Sequence, residues 1–159
     1  MKTGSFSLAS FRIFGMEESD SRTFIFVLRS LCTIALASGS MSHKSRMYLM
    51  RYIHRNSSVK RRPSEAMELL SNLQRDSWIM NEAMDMNFSD FEKHEVIKEV
   101  FSFAASSCEC NQIEANIVYK VASRIQFSFG EMIELLEKYD GDRVASLRSN
   151  LMEIHDLLG

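Results

Sequence analysis

The densest cluster of reactive side chains is Cys108-Glu109-Cys110, which sets two thiols and a carboxylate within three residues, with Glu114 four residues further on. Thiolates and carboxylates in one loop offer soft-metal ligation or thiol redox chemistry. A tetrahedral zinc site needs more ligands than this loop supplies. The usual spacings, two Cys separated by two to four residues or a paired His-x₃₋₅-His, do not occur in the chain. Cys108, Cys110 and Glu114 are therefore the metal or redox candidates, with structural cysteines as the simpler expectation and no cofactor required. Cys32 falls on an apolar stripe and reads as core. His43, His54, His94 and His155 are scattered, and His94-Glu95 does not begin a zinc-protease motif because Lys98 stands where the second histidine belongs. The carboxylate pairs Glu92/Glu95 and Glu131/Glu134 sit at helical spacing and read as solvated faces. No phosphate-binding loop, dinucleotide fingerprint or nucleophile elbow is present. Nothing pairs a nucleophile with a base, so the expectation is a protein that is not an enzyme.

A second group of residues can bind without chemistry. Lys44, Tyr48, Arg51 and Arg55 recur at i, i+4, i+7 and i+11, which places them along one face of a helix, and Lys60, Arg61 and Arg62 follow closely. No acidic residue occurs from Ser40 to Ser64. Residues 1–64 carry 11 Lys/Arg against 3 Asp/Glu, whereas residues 65–159 carry 8 against 18. Such asymmetry points to steering between the two halves or to an oppositely charged partner. The simplest reading is a solvated face, or one that pairs with the acidic second half; as a binding site it suits an acidic protein partner first. An anionic surface or a nucleic acid is the alternative, and the net charge of −2 weighs against the latter.

These residues must be positioned by helices. Phe24, Val27, Leu28, Leu31, Cys32 and Ala35 form one stripe, predicting a helix over about 20–38 that Gly39 stops. Ser42 is the expected N-cap of a second helix with Met47, Met50 and Ile53 inward, ending at Asn56-Ser57-Ser58. Pro63 suits the first turn of a third helix, with Met67, Leu70 and Leu73 apolar, and Trp78, Met80, Ala83 and Met84 suggest a short fourth. Ser89–Glu92 and Ser128–Glu131 are capping boxes, and Asn111–Glu114 is a weaker one. Val96, Val100, Phe103 and Ala104 follow the first of these, Met132, Leu136 and Tyr139 the second, and Ile117, Val121 and Ile125 the third. Asp140-Gly141 marks a turn before a last helix over 142–158, with Val144, Leu147, Leu151, Ile154 and Leu158 inward. No segment alternates with period two. The fold class is all-α, a compact bundle of about seven to eight helices: one domain over 20–159 behind an N-terminal extension, 1–19.

Leu36-Ala37-Ser38-Gly39-Ser40 aligns with Ala104-Ala105-Ser106-Ser107-Cys108 at an offset of 68 residues. Each block closes an apolar run, crosses a polar loop and opens another run, so the halves about 20–60 and 89–135 read as one helical hairpin used twice. At this repeat, over about residues 20–135, the chain resembles the tellurite-resistance TerB-like family, whose hairpins are built around Ala-x-x-Asp-Gly. Ile34 to Ser42 fits the first copy, and Phe101 to Glu114, continuing to Glu131, fits the second. The resemblance implies an interaction or scaffold module in a bacterial stress or metal-response setting. It also implies divalent-cation binding in acidic loops, yet Gly39-Ser40 and Ser107-Cys108 replace Asp-Gly, His43 and Lys44 replace the downstream acids of the first copy, and only Glu114 persists. A hard cation wants several oxygen ligands, so the expectation is that the fold transfers and the metal does not.

Composition agrees with a helical globule: 45% hydrophobic, with 6 Gly and 1 Pro, few breakers for this length. Three Cys at irregular spacing suggest reduced thiols and a cytoplasmic setting. The longest apolar run, Phe24 to Ala37, is interrupted by Arg29 and falls short of the roughly 20 residues that span a bilayer, and Met1 to Gly15 lacks a signal-like apolar run. The expected contact sites are the basic face and a Met-rich surface at Met80, Met84 and Met86 beside Trp78.

Overall fold

The computed structural model describes residues 18–37, 39–56 and 87–158, and these are helical with no strand among them. Six helices occur in the described residues: α1 (Glu18–Ala35), α2 (His43–Arg55), α3 (Asp90–Ser107), α4 (Gln112–Arg124), α5 (Phe129–Leu136) and α6 (Asp142–Leu158). The helices expected after Pro63 and around Trp78 lie outside the described residues, as do Lys60, Arg61, Arg62 and the Met80–Met86 surface. None of the described helices is long and apolar enough to cross a membrane.

The local signals explain most helix starts. Ser42 accepts from the Ser45 amide. Full capping boxes open α3 (Ser89/Glu92), α4 (Asn111/Glu114) and α5 (Ser128/Glu131), each side chain satisfying an amide that the first turn leaves without a carbonyl. Gly39 supports the chain reversal after α1 with φ +114°, where a Cβ would be strained. α4 ends without glycine. Gln126 adopts φ 60°, the Phe127 amide reaches back to the Ala122 carbonyl at 2.8 Å, and the Gln126 amide reaches Ser123 at 3.1 Å. That six-to-one plus five-to-two pattern closes the helix as glycine would, with buried Phe127 packing it down.

α1 and α3 form the centre. α1 touches α2, α3 and α4, and α3 touches α1, α2, α5 and α6; α6 lies along α4 and also meets α5. α1 is buried around its circumference from Phe24 to Cys32, Arg29 and Ser30 included, and Ser30 Oγ donates to the Phe26 carbonyl at 2.8 Å. Phe101, Phe103, Leu28, Leu31 and Ile34 are among the fully buried side chains. Phe24 stacks on Tyr52 with centroids 5.5 Å apart, joining α1 to α2.

Two expectations about facing need correction. Met47 is 38% exposed, and Leu49, Tyr52 and Ile53 are the buried apolar residues of α2. Ile53 is inward as expected and Met50 packs half-buried against the core, so the helix is rotated only enough to bring Tyr52 in and turn Met47 out. Leu158, expected inward, is also exposed.

Two substitutions separate core from cap. Leu28→Ala is expected to cost about 2–5 kcal/mol, the range for a buried leucine that leaves a cavity. Ser89→Ala is expected to cost about 1 kcal/mol, the worth of one N-cap. Urea unfolding with an unchanged m-value checks both.

Candidate functional site

The Cys108–Asn111 loop is built into the frame. The last turn of α3 has carbonyls with no helical amide ahead of them. The Cys108 amide donates to the Ala104 carbonyl at 3.4 Å, and Cys110 Sγ donates to the same carbonyl at 3.3 Å. Cys110 itself adopts φ 61°, uncommon for a residue with a Cβ. Its own carbonyl points the other way and receives Asn150 Nδ2 at 2.9 Å and Ser146 Oγ at 3.4 Å, both from α6. Ser45 Oγ, in the first turn of α2, donates to the Ser107 carbonyl at 3.3 Å. Arg143 Nη1, in the first turn of α6, donates to the Ser106 carbonyl at 3.0 Å. The N-terminal turns of α2 and α6 and the loop leading into α4 therefore meet at the carbonyl end of α3.

The three thiols are buried and free. Burial, with the negative Glu114 nearby, pushes the Cys108 thiol well above its ordinary value and that of Cys110 up to about 11. Burial alone lifts Cys32 to about 12. A thiol held neutral is a poor nucleophile and a poor metal ligand. The third candidate, Glu114, is buried and uses its carboxylate to accept from the Asn111 amide at 3.0 Å. Cys108, Cys110 and Glu114 are thus brought close together, but in structural work. Among the described residues no group of three or more His, Cys, Asp or Glu is arranged to hold a metal ion.

The basic face divides in two. Lys44 and Arg51 are exposed. Tyr48 leans inward, its ring edge-on to Phe103 with centroids 5.1 Å apart. The Tyr48 hydroxyl donates to Glu99 of α3, and Arg55 Nη2 donates to the same Glu99 Oε2 at 3.0 Å. Arg55 also lies over the Tyr52 ring, 5.6 Å from its centroid. Desolvation first, and then Glu99, push the Tyr48 phenol upward. Burial works against the Arg55 charge, but attraction to Glu99 and the guanidinium's hydrogen bonding to Tyr48 and Glu99 outweigh it, so its value rises. Tyr48 and Arg55, expected as partner-facing, are thus engaged with α3. The solvent-facing stripe of α2 is instead His43, Lys44, Met47, Arg51, His54 and the outer edge of Arg55. His43, His54 and Met47 are not among the residues that spacing alone selects. Their signal is the absence of any acid on α2, a property of the whole helix rather than of one spacing.

Elsewhere, His155 stacks on Phe129, ring centroids 3.9 Å apart and planes within 2°, with its Nδ1 2.8 Å from the Tyr119 hydroxyl. His94 packs edge-on to Phe127 with centroids 5.0 Å apart. Both histidines serve packing between helices.

Among the described residues, an all-α frame carries an exposed basic stripe on α2, and its thiols are buried in packing. No family model, curated protein or solved structure matches this chain.

The buried thiols make alkaline pH a test. Their folded-state values lie above the unfolded value of 9.0, so deprotonation favours the unfolded chain. Stability is expected to be intact below pH 9.0 and to fall as pH rises toward about 12. Urea midpoints measured across this range should decline less steeply for Cys32→Ala/Cys110→Ala than for the parent chain.

Proposed function

We propose that this chain is a non-enzymatic helical interaction module that docks an acidic protein segment along the exposed stripe of α2. The observation that carries the reading is the division of the basic face. Arg55 and Tyr48 are engaged by Glu99, whereas Lys44 and Arg51 make no hydrogen bond or ion pair with other described residues. Positive charge fixed on a helix with no acid of its own steers acidic partners and sets their register. Met47 in the middle of the stripe supplies an adaptable apolar contact.

Two successive helix pairs, α1–α2 and α3–α4, each with a second helix of 13 residues, support the resemblance to the TerB-like hairpin repeat. A stress- or metal-response setting belongs to that resemblance. In this reading the loops have exchanged cation ligands for packing groups: the second holds its place through Cys110 and Asn150. The acidic second half argues for a protein partner over nucleic acid, since duplex binders are commonly basic overall.

Fluorescence anisotropy with a labelled Glu/Asp-rich peptide and a labelled DNA duplex tests the proposal. The peptide should bind more tightly than the duplex, and Lys44→Glu/Arg51→Glu should weaken peptide binding about tenfold or more, roughly 1.4 kcal/mol. Unchanged peptide affinity contradicts the α2 site. Tighter binding to the duplex, with a steep salt dependence, turns the reading to nucleic acid.

A further inference from the structure

Among the described residues, exposed apolar side chains gather where α4 begins and α6 ends. Ile113 is 57% exposed, Leu157 77% and Leu158 68%. With Gln112, Asn116 and Ile154 they line a groove of about 380 Å³. A patch of this kind on a folded surface commonly marks a binding site. Its border is acidic. Glu153 is exposed and accepts from the groove-lining Gln112 Nε2 at 3.3 Å. Asp156, beside Leu157 in sequence, and Glu109, just ahead of α4, are exposed as well. Lys120, one turn beyond Asn116 on α4, is exposed and carries the opposite charge.

The α2 stripe is the converse of this groove: basic at Lys44 and Arg51, with one apolar side chain, Met47, between them. α2 packs on α1 and α3, whereas the groove is lined by α4 and α6, so the two surfaces are formed by different helices. We infer that the acid-bordered α4–α6 groove receives the α2 stripe of a second copy of this chain, Met47 entering among Ile113, Leu157 and Leu158 while Lys44 and Arg51 meet Glu153 and Asp156. The inference rests on the reading of α2 as a docking stripe and names a partner for it. The contact joins unlike surfaces. It closes as a reciprocal pair or continues from copy to copy according to the angle between the surfaces. Border charges of this sort govern encounter and salt sensitivity, so the association weakens as ionic strength rises.

Sedimentation velocity on the full chain, with two surface variants, tests this. The parent protein should sediment faster as its concentration rises at low salt, and the increase should vanish at high salt. Met47→Asp spoils the stripe and keeps the groove, and Leu157→Asp does the reverse. Each alone should remain monomeric. Mixed in equal amounts they should form a heterodimer, because one intact stripe and one intact groove remain. Circular dichroism melts matching the parent exclude misfolding as the reason for either loss. A parent chain monomeric at every concentration, a mixture that stays monomeric, or association that survives Met47→Asp overturns the inference. If the parent is monomeric yet still binds the acidic peptide through Lys44 and Arg51, this inference fails and the α2 docking site stands. If peptide binding ignores the charge reversal, the docking site itself fails.

Discussion

The last turn of α3 leaves carbonyls that no helical amide can reach, and the rest of the structure is arranged around satisfying them. Buried carbonyls without partners are costly, so the buried bond from Cys110 to Ala104 carries more weight than the exposed one from Arg143 to Ser106. Ala104 is served by the amide of Cys108 and the thiol of Cys110, Ser106 by Arg143, and Ser107 by Ser45. These donors come from the loop itself, from α6 and from α2. One helix end thus fixes where α2 begins, how the 108–111 loop turns and where α6 crosses. Arg143 there also brings positive charge to the negative end of the α3 dipole.

This constraint decides which residues remain available for binding. The loop with the most reactive side chains is consumed in holding helices together, since Cys110 bonds α3 through its thiol and α6 through its carbonyl. The same anchoring at Ser45 sets the rotation of α2. Tyr48 and Tyr52 turn inward, and Glu99 collects Tyr48 and Arg55. The opposite side of α2, centred near Met47 and Arg51, is left to solvent. The binding we propose on this scaffold is therefore a matter of surface charge, because the thiols are spent on packing.

The legible parts of the fold are those written locally. Capping boxes at Ser89, Asn111 and Ser128 announce their helices within four residues, and the stripe from Phe24 to Ala35 announces α1. What stays hidden in the sequence depends on distant partners. The facing of α2 is illegible there because Met47, Met50, Leu49 and Tyr52 give two competing apolar sides, and only Phe24, Phe103 and Glu99 choose between them. The left-handed turns at Cys110 and Gln126 carry no glycine to betray them and are held by bonds to Ala104, Asn150 and Ala122. Of the candidate site, Lys44 and Arg51 are legible from spacing and charge. Tyr48 and Arg55 fit the same pattern, but Glu99, 51 and 44 residues away, claims them.

Binding at the outer stripe of α2, with the 108–114 segment purely structural, is the central claim. A residue-resolved NMR titration of the full chain with an unlabelled acidic peptide addresses both halves at once. Shift changes are expected at His43, Lys44, Met47, Arg51 and His54, shrinking as salt rises, with the amides of Cys108 to Glu114 unmoved. Shifts centred on Cys108, Cys110 and Glu114, or none on α2 at saturating peptide, would contradict it.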